Sequence, residues 1–304
     1  MSDEIEFDRT ATTPPGEIAE LSPLVRRVIA GNGGPMTFTG TCTYIVGRGR
    51  VAIIDPGPDD PAHVARLLAA VASETVTDIV VTHTHRDHSP AVPAVKAATG
   101  ARIVGCGLHR AARELALGEA NPLDAAADRA YAPDLLMRDG DHVSGPGWTL
   151  TAIDTPGHTA NHVAFSLAEE ASLFSGDHVM AWSTSIVAPP DGSMAAYMAS
   201  IEKLRGMEHR LYWPGHGGPV MEPQRFLRGL VQHRRQREAA ILNRLSVGDE
   251  RIAEMVRAIY QGLAPALHGA AGLSVLAQLE DLVLRGSVSC DDVLPLLTSR
   301  YRRI

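Results

Sequence analysis

Residues Thr82-His83-Thr84-His85-Arg86-Asp87-His88-Ser89-Pro90 place the tightest limit on this chain. Four side chains able to hold a metal fall within six residues, directly after the apolar run Ile79-Val80-Val81. Alternate residues of a strand face the same way, so His83 and His85 can point at one ion as the strand ends. Asp87 and His88 follow on a turn and can curl back toward a second ion beside the first. Imidazole with carboxylate suits zinc, with manganese or iron also compatible.

Three later segments repeat one pattern, a short strand ending in glycine and then a metal-capable residue. Thr149–Asp154 leads to Thr155-Pro156-Gly157-His158, Ala171–Phe174 to Ser175-Gly176-Asp177-His178, and Leu211–Trp213 to Pro214-Gly215-His216. Glycine lets the backbone turn sharply and approach closely, so the next side chain can point back at an ion.

Elsewhere the spacing predicts strands over Leu24–Ala30, Cys42–Val46, Val51–Asp55 and Arg102–Gly105. It predicts helices up to Ala72, over Ser89–Thr99 and over Met194–Leu204, the last capped by Ser193. Residues 1–22 read as a poorly ordered or wrapping arm. The alanine-rich stretch Leu108–Met137 reads as one or two helices covering the site. The proline-rich loop Ile186–Ser193 suits a cleft wall.

After Pro223 the texture becomes helical: Phe226–Leu245, Ile252–Leu267 and Leu273–Leu284, then a short strand at Val288. The division expected is therefore 1–222 for a catalytic domain and 223–304 for a helical one. Residues 1–222 carry 16 basic and 27 acidic side chains, whereas 223–304 carry 12 arginines against 8 acids. A basic tail on an acidic body suits an anionic partner or a solvated helix surface.

No apolar run approaches the roughly 18 residues of a membrane span. The start, Met1-Ser2-Asp3-Glu4, is acidic where a signal peptide is basic, so a cytoplasmic location is expected. Cys42, Cys106 and Cys290 are too scattered for a ligand set and read as free thiols.

The run Thr82–Ser89, with Ser175-Gly176-Asp177-His178 and Trp182-Ser183-Thr184-Ser185, resembles the metallo-beta-lactamase superfamily. Within it the chain is most similar to the subgroup named for beta-lactamase-like protein 2, from about residue 40 to the end. The resemblance implies an αββα sandwich with a C-terminal winged-helix-like region. It also implies two ions, most simply zinc: His83, His85 and His158 on one, Asp87, His88 and His216 on the other, and Asp177 bridging them. Asp87 would orient a hydroxide and carry a proton to the leaving group. His162 and His178 are candidates to touch substrate or support ligands, and Trp182, Ser183 and Thr184 would line the cleft. His63, His109, His142, His209, His233 and His268 have no such context and read as surface or packing residues.

These expectations describe a dinuclear hydrolase using a metal-bound hydroxide on an ester, thioester or phosphodiester of a small molecule, with a homo-oligomer left open. A single-stranded endoribonuclease-like phosphodiesterase, with short RNA as substrate, draws support from the basic tail. Aromatic residues for stacking make up only 5% of the chain, which weighs against it. A glyoxalase-II-like thioesterase shares the ligand set, but its Gly-His-Glu-Tyr-Thr segment is replaced by Gly215-His216-Gly217-Gly218-Pro219. The best-known zinc lactamases have a cysteine where this chain has Asp177. A non-catalytic binding protein would have no use for seven clustered ligands.

Overall fold

Successive side chains of the later strands enter different cores, and this alternation sets the layers. A computed structural model describes residues 5–10, 13–116 and 119–304. Fourteen strands and six α-helices are named below in chain order. The first sheet contains β1 (Ile18–Glu20), β2 (Val25–Ile29), β3 (Cys42–Arg48), β4 (Arg50–Ile54), β5 (Thr75–Val81), β6 (Arg102–Gly105) and β7 (Leu135–Leu136), in that spatial order. Its first three pairings are antiparallel and its last three parallel. The second sheet contains β8 (His142–Gly145), β9 (Trp148–Asp154), β10 (Val163–Leu167), β11 (Ser172–Gly176) and β12 (Leu211–Pro214). Only β11 and β12 pair in parallel there.

Along β10, Val163, Phe165 and Leu167 face the first sheet, joining Ile45, Ile53 and Ile79 in the main core. Ala164 faces the other way, as do Ile153, Leu173 and Tyr212. That outer face is covered by α3 (Met194–Arg205) and the first half of α4 (Pro223–Ser246) through Tyr197, Ile201, Leu204, Leu227 and Leu230. The first sheet is flanked by α1 (Pro61–Ala70) and α2 (Val92–Thr99). The result is two sheets between helical layers, an αββα sandwich.

Ser193 caps α3 as expected, its Oγ accepting from the Ala196 amide at 3.4 Å. The second half of α4 joins a separate core. There Ile241 and Leu245 pack with α5 (Ile252–Ile259), α6 (His268–Leu284), β13 (Val288–Cys290) and β14 (Tyr301–Arg303). These helices and the antiparallel β13–β14 pair form a winged-helix unit.

Several expectations are corrected. Among the described residues, 108–137 contains no α-helix, only a 3-10 turn at Asp124–Ala126 and β7. Long-range polar contacts hold it instead, Arg113 to Glu280 and Asn121 to Asp191, with a local pair between Arg113 and Glu119. The helix expected to reach Leu267 stops at Ile259, ahead of Gly262 at φ 79° and Pro265. The next helix begins early, at His268. The helix expected from Ser89 starts at Val92. In the arm, residues 1–4, 11 and 12 lie outside the described residues. Residues 18–20 form β1, and Asp8 N–H bonds the Ala181 carbonyl at 3.0 Å.

Candidate metal centre

Every candidate ligand hangs from the carboxyl end of a strand, and the topology gathers those ends. In the first sheet β4 and β5 run parallel, so Asp55 and His83 emerge side by side. In the second, β9, β11 and β12 share one direction, which brings His158, Asp177 and His216 to the same edge. The sheets are tied together there, Cys42 N–H donating to the Gly215 carbonyl at 2.8 Å and Val163 N–H to the Thr82 carbonyl at 2.8 Å. This is the usual position for an α/β site.

Two clusters result. His85 Nδ1 lies 3.2 Å from His83 Nε2 and 3.0 Å from His158 Nε2. Beside them, Asp87 Oδ2 lies 3.1 Å from His216 Nε2 and 3.4 Å from His88 Nε2. Asp177 stands between, its Oδ2 3.3 Å from His216 Nε2 and 3.8 Å from His158 Nε2. Both triads, His83–His85–His158 and Asp87–His88–His216, have the spacing and donor types of a metal site. His88 Nε2 and Asp177 Oδ1 are buried without a hydrogen-bond partner, as ligand atoms meant for a cation would be. The residues therefore fit one or two divalent ions.

Four of the five imidazoles, those of His83, His88, His158 and His216, are held by their other nitrogens. Thr82 Oγ1 donates to Asp55 Oδ2 at 2.7 Å, so it accepts from His83 Nδ1 at 3.0 Å and leaves the His83 Nε2 lone pair facing the cluster. His158 Nδ1 donates to the Ile186 carbonyl at 2.6 Å, His216 Nδ1 to the Gly40 carbonyl at 3.2 Å, and His88 Nδ1 to Asp55 Oδ2 at 2.9 Å. Such outer contacts fix tautomer and ring orientation in metal sites. Asp55, His83 and His88 also sit close enough to form a third triad. Asp55 Oδ1, however, accepts from the Thr82 amide at 2.8 Å, so both its oxygens are engaged and it acts as a support.

Burial, reinforced by neighbouring imidazoles, lowers the basicity of His83 and His158 and takes His85 down to about 3. Burial also opposes charge on His88 and His216, but the Asp87 and Asp177 carboxylates override it. They raise His88 well above its usual value and His216 to about 10. Burial alone would raise the two carboxyls, yet the facing imidazoles hold both well below the ordinary range. Two ionised carboxylates in a buried site call for positive charge, and a metal would displace the imidazole protons that supply it here.

Glycine is required where the backbone passes closest. A Cβ on Gly215 would lie 2.4 Å from Asp177 Oδ1 and 2.7 Å from His88 Cε1. Asp87 is the open member of the set, its side chain 26% exposed, while the other six are buried. Solvent therefore reaches the cluster on the Asp87 side.

The remaining candidates have different places. His162 Nε2 accepts from the Asp177 amide at 3.2 Å and its Nδ1 pairs with Thr155 Oγ1 at 2.8 Å, so it positions Asp177. His178 points away, its ring 4.6 Å from that of Tyr197. Trp182 stacks on Phe38 at 5.1 Å, close beside Gly217. Ser183 Oγ bonds only the neighbouring Thr184 carbonyl, at 3.4 Å, and among the described residues no side-chain hydrogen bond ties Ser183 or Thr184 to the cluster. The side chain of His109, read as a surface or packing residue, is buried, with Nδ1 3.1 Å from Thr84 Oγ1.

Sequence reasoning missed Asp55, Thr82 Oγ1 as a relay, and Thr41, whose Oγ1 lies 3.5 Å from Asp87 Oδ2. The one available signal was an acid at a strand end, in Asp55-Pro56-Gly57-Pro58.

The chain belongs to the metallo-beta-lactamase superfamily, whose family model matches residues 36–216. A beta-lactamase associated winged helix domain matches residues 252–292. The chain is 31% identical to the atrochrysone carboxyl ACP thioesterase of Aspergillus fumigatus over 268 residues, covering 82% of this chain and 77% of that one. It is 28% identical to the beta-lactamase-like protein 2 homolog of Drosophila melanogaster, covering 89% and 91% of the two chains. In fold it resembles a beta-lactamase domain protein from Burkholderia ambifaria, with a TM-score of 0.79 at 20% identity, covering 99% of this chain and 97% of that one. Among the described residues no helix is long and apolar enough to cross a membrane.

Proposed function

We propose that this protein is a dinuclear zinc hydrolase acting on the thioester of a small acyl group. The observation that carries the reading is Asp177, set between the His83–His85–His158 and Asp87–His88–His216 triads with one oxygen within 3.8 Å of both. Two divalent ions held there would polarise a substrate carbonyl and bring the pKa of water to roughly 7. The chain's own groups do the rest. Asp87 is partly exposed and ionised, so it can accept a proton from water and pass it to the departing thiolate. Asp55, Thr82, Gly40 and Ile186 keep the imidazole lone pairs aimed inward without rearrangement.

The thioester assignment draws on the likeness to a fungal carrier-protein thioesterase. The basic tail is the observation behind the RNA alternative, and much of it is neutralised internally. Arg225 pairs with Glu222, Arg244 with Asp249, Arg285 with Glu238 and Asp281, and Arg300 and Arg302 with Glu250.

The test is metal content followed by hydrolysis on one preparation. The panel holds simple acyl thioesters, S-lactoylglutathione, bis-p-nitrophenyl phosphate and single-stranded RNA, with Asp87→Ala as control. About two zinc ions per chain and thioester turnover lost in the control are expected. RNA cleavage lost in the control, without thioester turnover, would move the protein to the nuclease class.

A further inference from the structure

Arg234 lies on α4, outside every motif that marked the site, and it is buried. Among the described residues no carboxylate pairs with it. A buried, unpaired cation is costly and calls for a local explanation. Its surroundings supply one. Arg234 Nη2 donates to the Ser185 carbonyl at 2.5 Å, and its guanidinium carbon sits 4.9 Å over the Tyr197 ring. Ser185 Oγ and the Tyr197 hydroxyl both donate to the His178 carbonyl, at 2.8 and 3.1 Å. His178 directly follows Asp177. The next residue after Ser185, Ile186, offers the carbonyl that accepts from His158 Nδ1 at 2.6 Å.

One guanidinium therefore holds the 185–186 backbone directly and the 177–178 backbone through Ser185 Oγ and the Tyr197 hydroxyl, and both strips orient candidate ligands. The grip is anchored from behind, where Gln278 of α6 donates to the Arg234 carbonyl at 3.3 Å. We propose that Arg234 is a positioning residue for the metal centre: its hold on the Ser185 carbonyl and the Tyr197 ring fixes the Ile186 carbonyl on His158 and the backbone that presents Asp177.

The role explains why arginine stands there. A planar, fixed-charge group can stack on a ring and donate along its edge at once, which lysine does less well. It also explains why the residue is charged although an apolar side chain would pack there at lower cost. The proposal rests on the reading of the cluster as a metal centre, and the experiment separates the two.

The full chain would be compared with Arg234→Met, which keeps the stem and removes every donor, and with Arg234→Ala, which leaves a guanidinium-sized space. Each is stripped of metal, checked by circular dichroism and thermal melting, and titrated with Co2+ followed by its ligand-field absorption. Arg234→Met should melt at or above the temperature of the unsubstituted apo-protein. Its affinity for the ion bound by His158 should nevertheless fall about tenfold or more, with an altered absorption band. Arg234→Ala should show the same loss, reversed by millimolar methylguanidinium. Unchanged affinity and spectrum in either folded variant would overturn the proposal. So would failure of both variants to fold, since that assigns Arg234 to the core. If the unsubstituted chain itself takes up no metal, it is the metal-centre reading that fails.

Discussion

Asp55 Oδ2 lies 2.9 Å from His88 Nδ1, and the same carboxylate takes both the amide and the hydroxyl of Thr82. One acid at the end of β4 thus orients a candidate ligand directly and, through Thr82, a second one, His83. Asp55 holds φ at 48°, a left-handed conformation uncommon outside glycine, which is the shape needed to reach both.

Replacing it by alanine should strand these buried donors. The expected cost is about 1–3 kcal/mol of stability and roughly a 10- to 100-fold loss of metal affinity. Chemical denaturation and zinc competition assays measure the two separately. Intact affinity would show that Asp55 supports the fold alone.

Asp87→Asn keeps the shape of the exposed ligand and removes its basicity. Turnover should drop by about a hundredfold or more, as loss of acid–base assistance typically does. Steady-state kinetics on zinc-loaded protein would read it, with metal content measured in parallel so that lost metal and lost proton transfer are told apart.

Gly215→Ala should dislodge the centre without unfolding the chain. The new Cβ would press on Asp177 Oδ1 and His88 Cε1, and neither can retreat, because His162 holds the Asp177 amide and Asp55 holds the His88 ring. Elemental analysis should find about one ion fewer per chain. Two tightly held ions in this variant would refute the close approach.

Stability should fall in mild acid partly through His233. Burial, then the Arg234 and Arg237 charges, push this imidazole down to about 4, against about 6.5 unfolded. The folded chain binds fewer protons than the unfolded one between those values. This contribution is therefore complete above about pH 6.5 and is lost as the pH falls toward 4. Melting of metal-free protein at pH 7 and pH 5 should show a smaller drop for His233→Gln than for the unsubstituted chain. Equal drops would rule out His233 as a source.

The candidate centre was legible from sequence to the extent that its residues follow local rules. His83 and His85 lie in the loop just beyond β5 and still converge on one point, as their alternate spacing suggested, and His158, Asp177 and His216 each follow a glycine at or shortly after a strand end. Asp55 was not legible, because Asp-Pro-Gly reads as a turn and its partners lie 27 and 33 positions away. Residues 108–137 failed for a related reason. Alanine favours helix, but Arg113 and Asn121 are held by α6 and the 185–192 loop, and those tertiary bonds override the propensity. The strand Val163–Leu167 went unnoticed since both its faces are covered and no alternation of polarity marks it.

Helix α4 carries Leu227, Leu230 and Val231 in one core and Ile241 and Leu245 in the other. A helix shared in this way couples the two cores, so the two units should melt as one cooperative block. Cutting the chain ahead of α4 would uncover Tyr197, Ile201 and Tyr212 beneath it, so the amino-terminal piece would expose a sticky apolar face. The winged helix is consequently not a detachable passenger, and a graft from a relative would have to bring the whole of α4 with it.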